Sequence, residues 1–399
     1  MTKYLPFAVV ALSLIVTGCK NHGEETHATS GVGQIPAETF IREWVADLDL
    51  PDGQEISELY VRDEIVFAYT PSHRVFFINK ASGQLMASVT VPVKGPKLFA
   101  PIVLPDRVVF PTTTSVEIYN FKGRLLRSLE TRVALRSGGV GKDNMIYGGS
   151  DHSTGGRLVA VDLDRNYVPV VWEVMTFGGI SSTPALYQGV IYVGSEDGDV
   201  YAVNDERRPV WGTEDGVFRT DGKIVSDLRV DDYGLYVNST DSKLYCVHRV
   251  TGKVRWQYFA GTPLRTPPEA TQDLVYQYVP RTGLVALNRT DDGSDNPPPV
   301  FAYNRTPRWI VPNARQFLAE GKDFSYLRRN DDHVMAVDKK TGAVRFVSKQ
   351  AFSGFGVNTK NDIVFVATKD GRVVAVKPVL KAGSAGELVM VFEELDDAA

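Results

Sequence analysis

The chain has 399 residues, 43% of them hydrophobic and 23% charged, with 35 Gly, 22 Pro and a formal charge of −4 at pH 7. This composition suits one large β-rich domain. It offers no basic stripe for nucleic acid, only local pairs such as Arg207-Arg208 and Arg328-Arg329. With two cysteines, Cys19 and Cys246, it is not a disulfide scaffold.

Residues 1–18 read as a secretion signal: Lys3 precedes an apolar run from Leu5 to Val16, too short to span a bilayer, which needs about 20 apolar residues. Val16-Thr17-Gly18-Cys19 resembles the bacterial lipobox, which would make Cys19 the acylated first residue of the mature protein. An ordinary secretion signal with an incidental Cys is the competing reading. Lys20, in place of the Asp that retains enteric lipoproteins at the inner membrane, favours the outer membrane. Residues 19–38 are polar and aperiodic, a tether able to hold a folded body roughly 25 Å from the membrane. His22 and His27 lie in it without a Cys or carboxylate placed to complete a metal site.

Residues 39–380 repeat one pattern. In Val190 to Trp211 a β-branched and aromatic run (Val190 to Gly194) meets turn chemistry (Glu196-Asp197-Gly198-Asp199). A second apolar run (Val200 to Val203) follows, and then Trp211. Eight such units start near Ile65, Val108, Met145, Val190, Leu235, Leu274, Phe324 and Ile363. Their spacing of roughly 40 residues is that of a four-stranded propeller blade. Trp172, Trp211, Trp256 and Trp309 recur at one place in the unit, where Met86, Leu126 and Phe346 stand elsewhere. The eighth unit has no Trp there. Trp44, ahead of the first unit, marks an N-terminal strand expected to pair into the last blade and close the ring. Residues 381–399 form a C-terminal extension in which Glu387 to Glu394 could supply that strand instead. The expected fold is all-β, an eight-bladed propeller of four-stranded antiparallel blades.

The pattern Val-Tyr-Val-Gly-Ser-x-Asp-Gly-x-Val-Tyr-Ala-Val, with Thr-Gly-Lys-Val-x-Trp at Thr251 to Trp256, resembles the quinoprotein-type (PQQ-like) propeller repeat over about Phe40 to Pro378. Unit number, size and N-terminus look most like the BamB family, lipoproteins of the outer-membrane β-barrel assembly machinery. The resemblance implies a non-catalytic scaffold that docks the barrel-forming subunit, anchored by lipid on Cys19 and facing the periplasm. In that family a Leu-Arg loop between central blades helps the docking; Leu264-Arg265, after Trp256, occupy a comparable place. The family's acidic pair in the following blade is not matched, since Asn313-Ala314-Arg315 stands there.

The resemblance also implies an alternative: a periplasmic quinone- or sugar-binding protein, or a PQQ-dependent dehydrogenase-like enzyme, using the propeller funnel. No adjacent Cys pair and no assignable calcium carboxylates support the enzyme, so no catalytic residue, metal or cofactor is assigned. Cys246, where other units have Ala, reads as a small buried core residue. Gly138-Gly139-Val140-Gly141-Lys142 lacks the Ser or Thr of a phosphate loop and reads as a turn. Asp291 to Asn296 is rich in oxygen ligands but lacks the closing Glu of a calcium loop. The interruption from Asp291 to Asn313, with Pro297-Pro298-Pro299 and then Arg305, Arg308 and Trp309, is a second candidate contact for an envelope protein. Trp309 also fits as the unit's structural Trp. An adhesion module is a third reading.

Overall fold

The computed structural model describes residues 40–51, 53–212, 216–290, 303–378, 381–382 and 388–389. The leader, Cys19, the tether and the acid-rich 291–296 stretch lie outside them. Blade 4 shows how the unit forms. Val190–Gly194 and Asp199–Asn204 pair antiparallel, with Tyr192 opposite Ala202, around a turn closed by Gly198 N–H to the Ser195 carbonyl at 3.0 Å. Gly198 takes φ +97°, open to glycine at little cost. Ala185–Tyr187 and Val217–Arg219 add the flanking strands.

Seven blades repeat this order: 58–90, 102–130, 135–176, 185–219, 229–259, 269–311 and 314–351. The eighth, 354–378, takes its outermost strand from the other end of the chain: Phe40–Asp47 pairs antiparallel with Arg372–Pro378, Trp44 opposite Ala375. The ring is an eight-bladed β-propeller closed by its N-terminal strand. Leu388–Val389 pairs with Lys381–Ala382 and not with blade 8; the rest of the Glu387 to Glu394 stretch lies outside the described residues.

Central strands of each blade have neighbours on both faces, which is why they read as continuous apolar runs: Ile65–Tyr69 and Val364–Ala367 are buried at every position. Outermost strands such as Leu85–Thr90 and Leu125–Glu130 are largely exposed. The eight hydrophobic clusters among the described residues coincide with the eight interfaces between successive blades, the last joining Trp44 and Phe365 of blade 8 to Leu59 and Phe76 of blade 1.

The tryptophans stitch these interfaces. Trp44, Trp211, Trp256 and Trp309 each donate Nε1–H to a carbonyl in a turn of the following blade, at Lys80, Arg249, Arg289 and Lys339, over 2.8–3.0 Å. Each ring of Trp44, Trp211 and Trp309 lies over a turn glycine: a Cβ at Gly83, Gly252 or Gly342 would fall 2.6, 2.9 or 2.7 Å from it. Trp44 thus fills the place that the eighth unit lacks in sequence. In blades 1 and 2 the corresponding residues, opposite Phe77 and Ile118, are Ala87 and Arg127. Met86 and Leu126, expected there, lie one residue earlier, at the bulge that Arg255 occupies before Trp256 in blade 5, and are 37% and 50% exposed.

Those turns are capped from the preceding strand. Asn79, Asn204 and Asp338 each accept two backbone N–H groups on a side-chain oxygen. His248 does the same with Nδ1, accepting from Val250 and Thr251 at 3.3 and 3.2 Å. Nδ1 accepts only when unprotonated, and burial, Arg255 and Arg249 all push the His248 pKa below its ordinary 6.5. The Gly138 to Lys142 stretch, read as a turn, is part of the strand Leu135–Lys142. Gly141 serves packing there: a Cβ would lie 2.7 Å from Ile102 of blade 2.

Gly252 and Gly261 share φ +72°, but nothing lies within 4 Å of a Cβ at Gly261. Alanine at either should carry the left-handed cost of about 1–2 kcal/mol. Gly252→Ala should lose about 1–3 kcal/mol more by driving into Trp211, as a lower urea midpoint. His248 holds its stability above pH 6.5 and loses it as pH falls through its lowered folded-state pKa, because the unfolded chain takes the proton first. Urea midpoints between pH 7.5 and 5 should therefore fall less steeply in His248→Asn, which keeps an acceptor at the turn.

Candidate functional site

The loop 260–268 joins the outermost strand of blade 5, Val254–Phe259, to the innermost strand of blade 6, Glu269–Ala270. It is pinned from beneath. The Thr266 carbonyl accepts from Gln277 Nε2 at 3.0 Å and from Asn238 Nδ2, and Leu264 N–H donates to the Ser239 carbonyl at 3.2 Å. Leu264 points inward: it is 0% exposed, packed with Tyr236, Cys246, Trp256 and Val275 between blades 5 and 6. This corrects the Leu-Arg expectation, because a buried Leu264 shapes the loop and only Arg265 is exposed to meet a partner.

The second candidate cluster disperses as well. Tyr303–Asn304 adds a fifth, parallel strand outside blade 5, opposite Trp256 and Gln257. Arg305 follows it inward: it is 7% exposed, bonds the Thr290 carbonyl at 2.9 Å and covers the Trp256 ring at 5.2 Å. Trp309, 6% exposed, is blade 6's structural tryptophan. Neither presents a side chain to a partner. Arg308 is exposed, but it enters the outermost strand of blade 6 at the end opposite to that from which the 260–268 loop leaves blade 5, so Arg265 and Arg308 lie on opposite faces of the ring. Cys246 is buried as expected, and burial pushes its thiol pKa far up.

Three features have no signal in the sequence pattern. Phe177, in the loop between blades 3 and 4 on the same face as Arg265, is 86% exposed. Around the axis, innermost strands bring charges together: Arg229 of blade 5 binds Glu269 of blade 6 through Nε and Nη2 at 3.1 and 2.8 Å. Crowding by protein, then Arg229 itself, holds the pKa of Arg62 down, although Arg62 belongs to blade 1, across the ring. Next to the 260–268 loop, blades 6 and 7 enclose a cavity of about 290 Å³ whose wall includes Thr266, Glu269, Tyr278, Arg315 and Arg328.

A family model described as "Outer membrane protein assembly factor BamB" matches residues 209–296. The chain is BamB-like. It is 28% identical over 142 residues to the outer membrane protein assembly factor BamB of Nitrosomonas eutropha, a match spanning 33% of this chain and about a third of that relative (32%). Among solved structures, BamB from Moraxella catarrhalis superposes with a TM-score of 0.62 at 15% identity, covering 85% of this chain and 97% of that one. The computationally designed Ika8 protein superposes almost as well, with a TM-score of 0.60 at 14% identity over 84% and 99% of the two chains. At these identities the likeness of shape shows the fold alone.

Leu264→Ala should cost about 2–5 kcal/mol of stability as a buried large-to-small change. Arg265→Ala should stay within about 0.5 kcal/mol of wild type. Equal losses in denaturant melts would put the two side chains in the same environment and contradict this geometry.

Proposed function

We propose that the protein is a membrane-tethered, non-catalytic scaffold for outer-membrane protein assembly, held through lipid on Cys19 and facing the periplasm. The carrying observation is that the matched segment, 209–296, contains the whole 260–268 loop. A closed propeller suits the role, since rigid interfaces hold loops on two broad faces. On the face that carries this loop, Arg265 offers a charge and Phe177 an apolar anchor to an envelope protein, in the first instance the barrel-forming subunit of the assembly machinery. A binding protein that uses the channel is the second reading, favoured by the convergence of Arg62, Arg229 and Glu269 there.

In-cell crosslinking followed by mass spectrometry should capture the barrel-forming subunit with wild type and lose it with Arg265→Ala/Phe177→Ala, whose substitutions leave the core untouched. Capture of other partners, indifferent to the double variant, would remove the assembly reading. Cys19→Ser should move the protein from the membrane pellet to the soluble fraction. Unchanged fractionation would remove the lipid anchor.

A further inference from the structure

The cavity between blades 6 and 7 is unbalanced in charge. Arg315 and Arg328 line it, and both guanidiniums bind the same oxygen of one carboxylate, Asp332 Oδ1, which does not itself line the cavity. Arg328 Nε and Nη2 reach that oxygen at 2.9 and 2.7 Å, and its Nη1 bonds Gln316 Oε1 at 3.3 Å. The wall's one acidic residue, Glu269, has both oxygens occupied by Arg229. Arg229 has Glu269 and, at 4.0 Å, Asp227, whereas Arg315 and Arg328 share Asp332 alone, leaving one positive charge in excess at that pair in a half-enclosed space. Arg315 Nε is buried without an acceptor. Burial, opposed in part by Asp332 and reinforced by Arg315, holds the Arg328 pKa below its ordinary value, as expected of a cation that lacks full compensation.

The remaining wall is aromatic and aliphatic, with Tyr278, Leu284 and Phe317, the last stacked on Tyr276 at 4.4 Å. The guanidinium of Arg328 is held 4.1 Å over the Phe355 ring, so the fork is fixed in place before anything binds. At about 290 Å³ the space approaches the lower bound of ligand pockets, roughly 300 Å³.

We propose that this cavity is a carboxylate-binding site, in which Arg315 and Arg328 hold the anion of a ligand whose apolar or aromatic body lies against Tyr278 and Leu284. A planar guanidinium pair matches a carboxylate better than it matches a neutral amide or a sugar hydroxyl. The site draws on blades 6 and 7 and on Thr266 and Pro267 of the 260–268 loop, which the scaffold reading also uses, but its test requires neither that reading nor a membrane anchor. A carboxylate of this kind ends a peptide, projects from an acidic side chain or belongs to a small organic acid.

Calorimetric titration of the full chain at low ionic strength distinguishes these sources. N-acetylphenylalanine should bind at least about tenfold more tightly than N-acetylphenylalanine amide, as expected for charged hydrogen bonds. Preference for the capped tripeptide acetyl-Phe-Glu-Phe-amide over N-acetylphenylalanine would assign the anion to an internal side chain; the reverse would assign it to a chain end or free acid. Arg315→Gln should weaken the acid about tenfold and leave the amide unchanged. Asp332→Asn, which frees both guanidiniums, should tighten the acid by about threefold or more, a gain that unfolding cannot imitate. Equal binding of acid and amide, absence of binding by both, or an Asp332→Asn variant that binds the acid no better than wild type overturns the proposal.

Discussion

A four-stranded blade has two apolar faces and cannot cover either alone, so every blade is stable only between two others. Among the described residues the eight clusters of buried side chains lie between blades, so burial is distributed round the ring. An open row of blades would leave two uncovered ends. Pairing of Phe40–Asp47 with Arg372–Pro378 removes both at once, because one strand belongs to the last blade by hydrogen bonding and leads directly into the first.

The tryptophan contacts follow from the same constraint. Successive blades splay apart toward the rim, and the gap widens where the turns are. An indole spans it, donating Nε1–H to a turn carbonyl and lying flat on a glycine that has no side chain to obstruct it. In blade 1, where the indole is absent, Ala87 lies against Gly123 of the following turn instead. Side-chain caps from Asn79, Asn204, Asp338 and His248 keep these turns in the shape the indole requires.

With rim and interfaces fixed in this way, chemical variety is left to loops and to the inner ends of strands. The interruption after blade 6's third strand returns as an added strand outside blade 5 and leaves the ring order unchanged. The charged groups at the axis occupy the innermost strands, where Arg229 of one blade reaches Glu269 of the next. A BamB-like ring can therefore carry an Arg pair, Arg315 and Arg328, near the place where the acidic pair of the BamB family is not matched in this sequence.

Much of this was legible in the sequence. Strand pairs with β-branched runs, turn glycines at a fixed offset and a Trp recurring in five of the eight blades specify the repeat, the number of blades and the role of the strand around Trp44, because each is a local pattern tied to a local geometry. Register was not legible from hydrophobicity: Met86 and Leu126 are apolar yet stand at the bulge that Arg255 occupies in blade 5, one residue before the place of the indole. Nor could the chain show that Leu264 turns inward while Arg265 turns out, since two adjacent loop residues obey no period. Arg315 and Arg328 are thirteen positions apart in the chain and became neighbours through strand pairing, Arg328 lying opposite Gln316. The repeat is written in nearest-neighbour chemistry; the candidate sites arise where separate blades meet, and only the closed ring decides which side chains meet there.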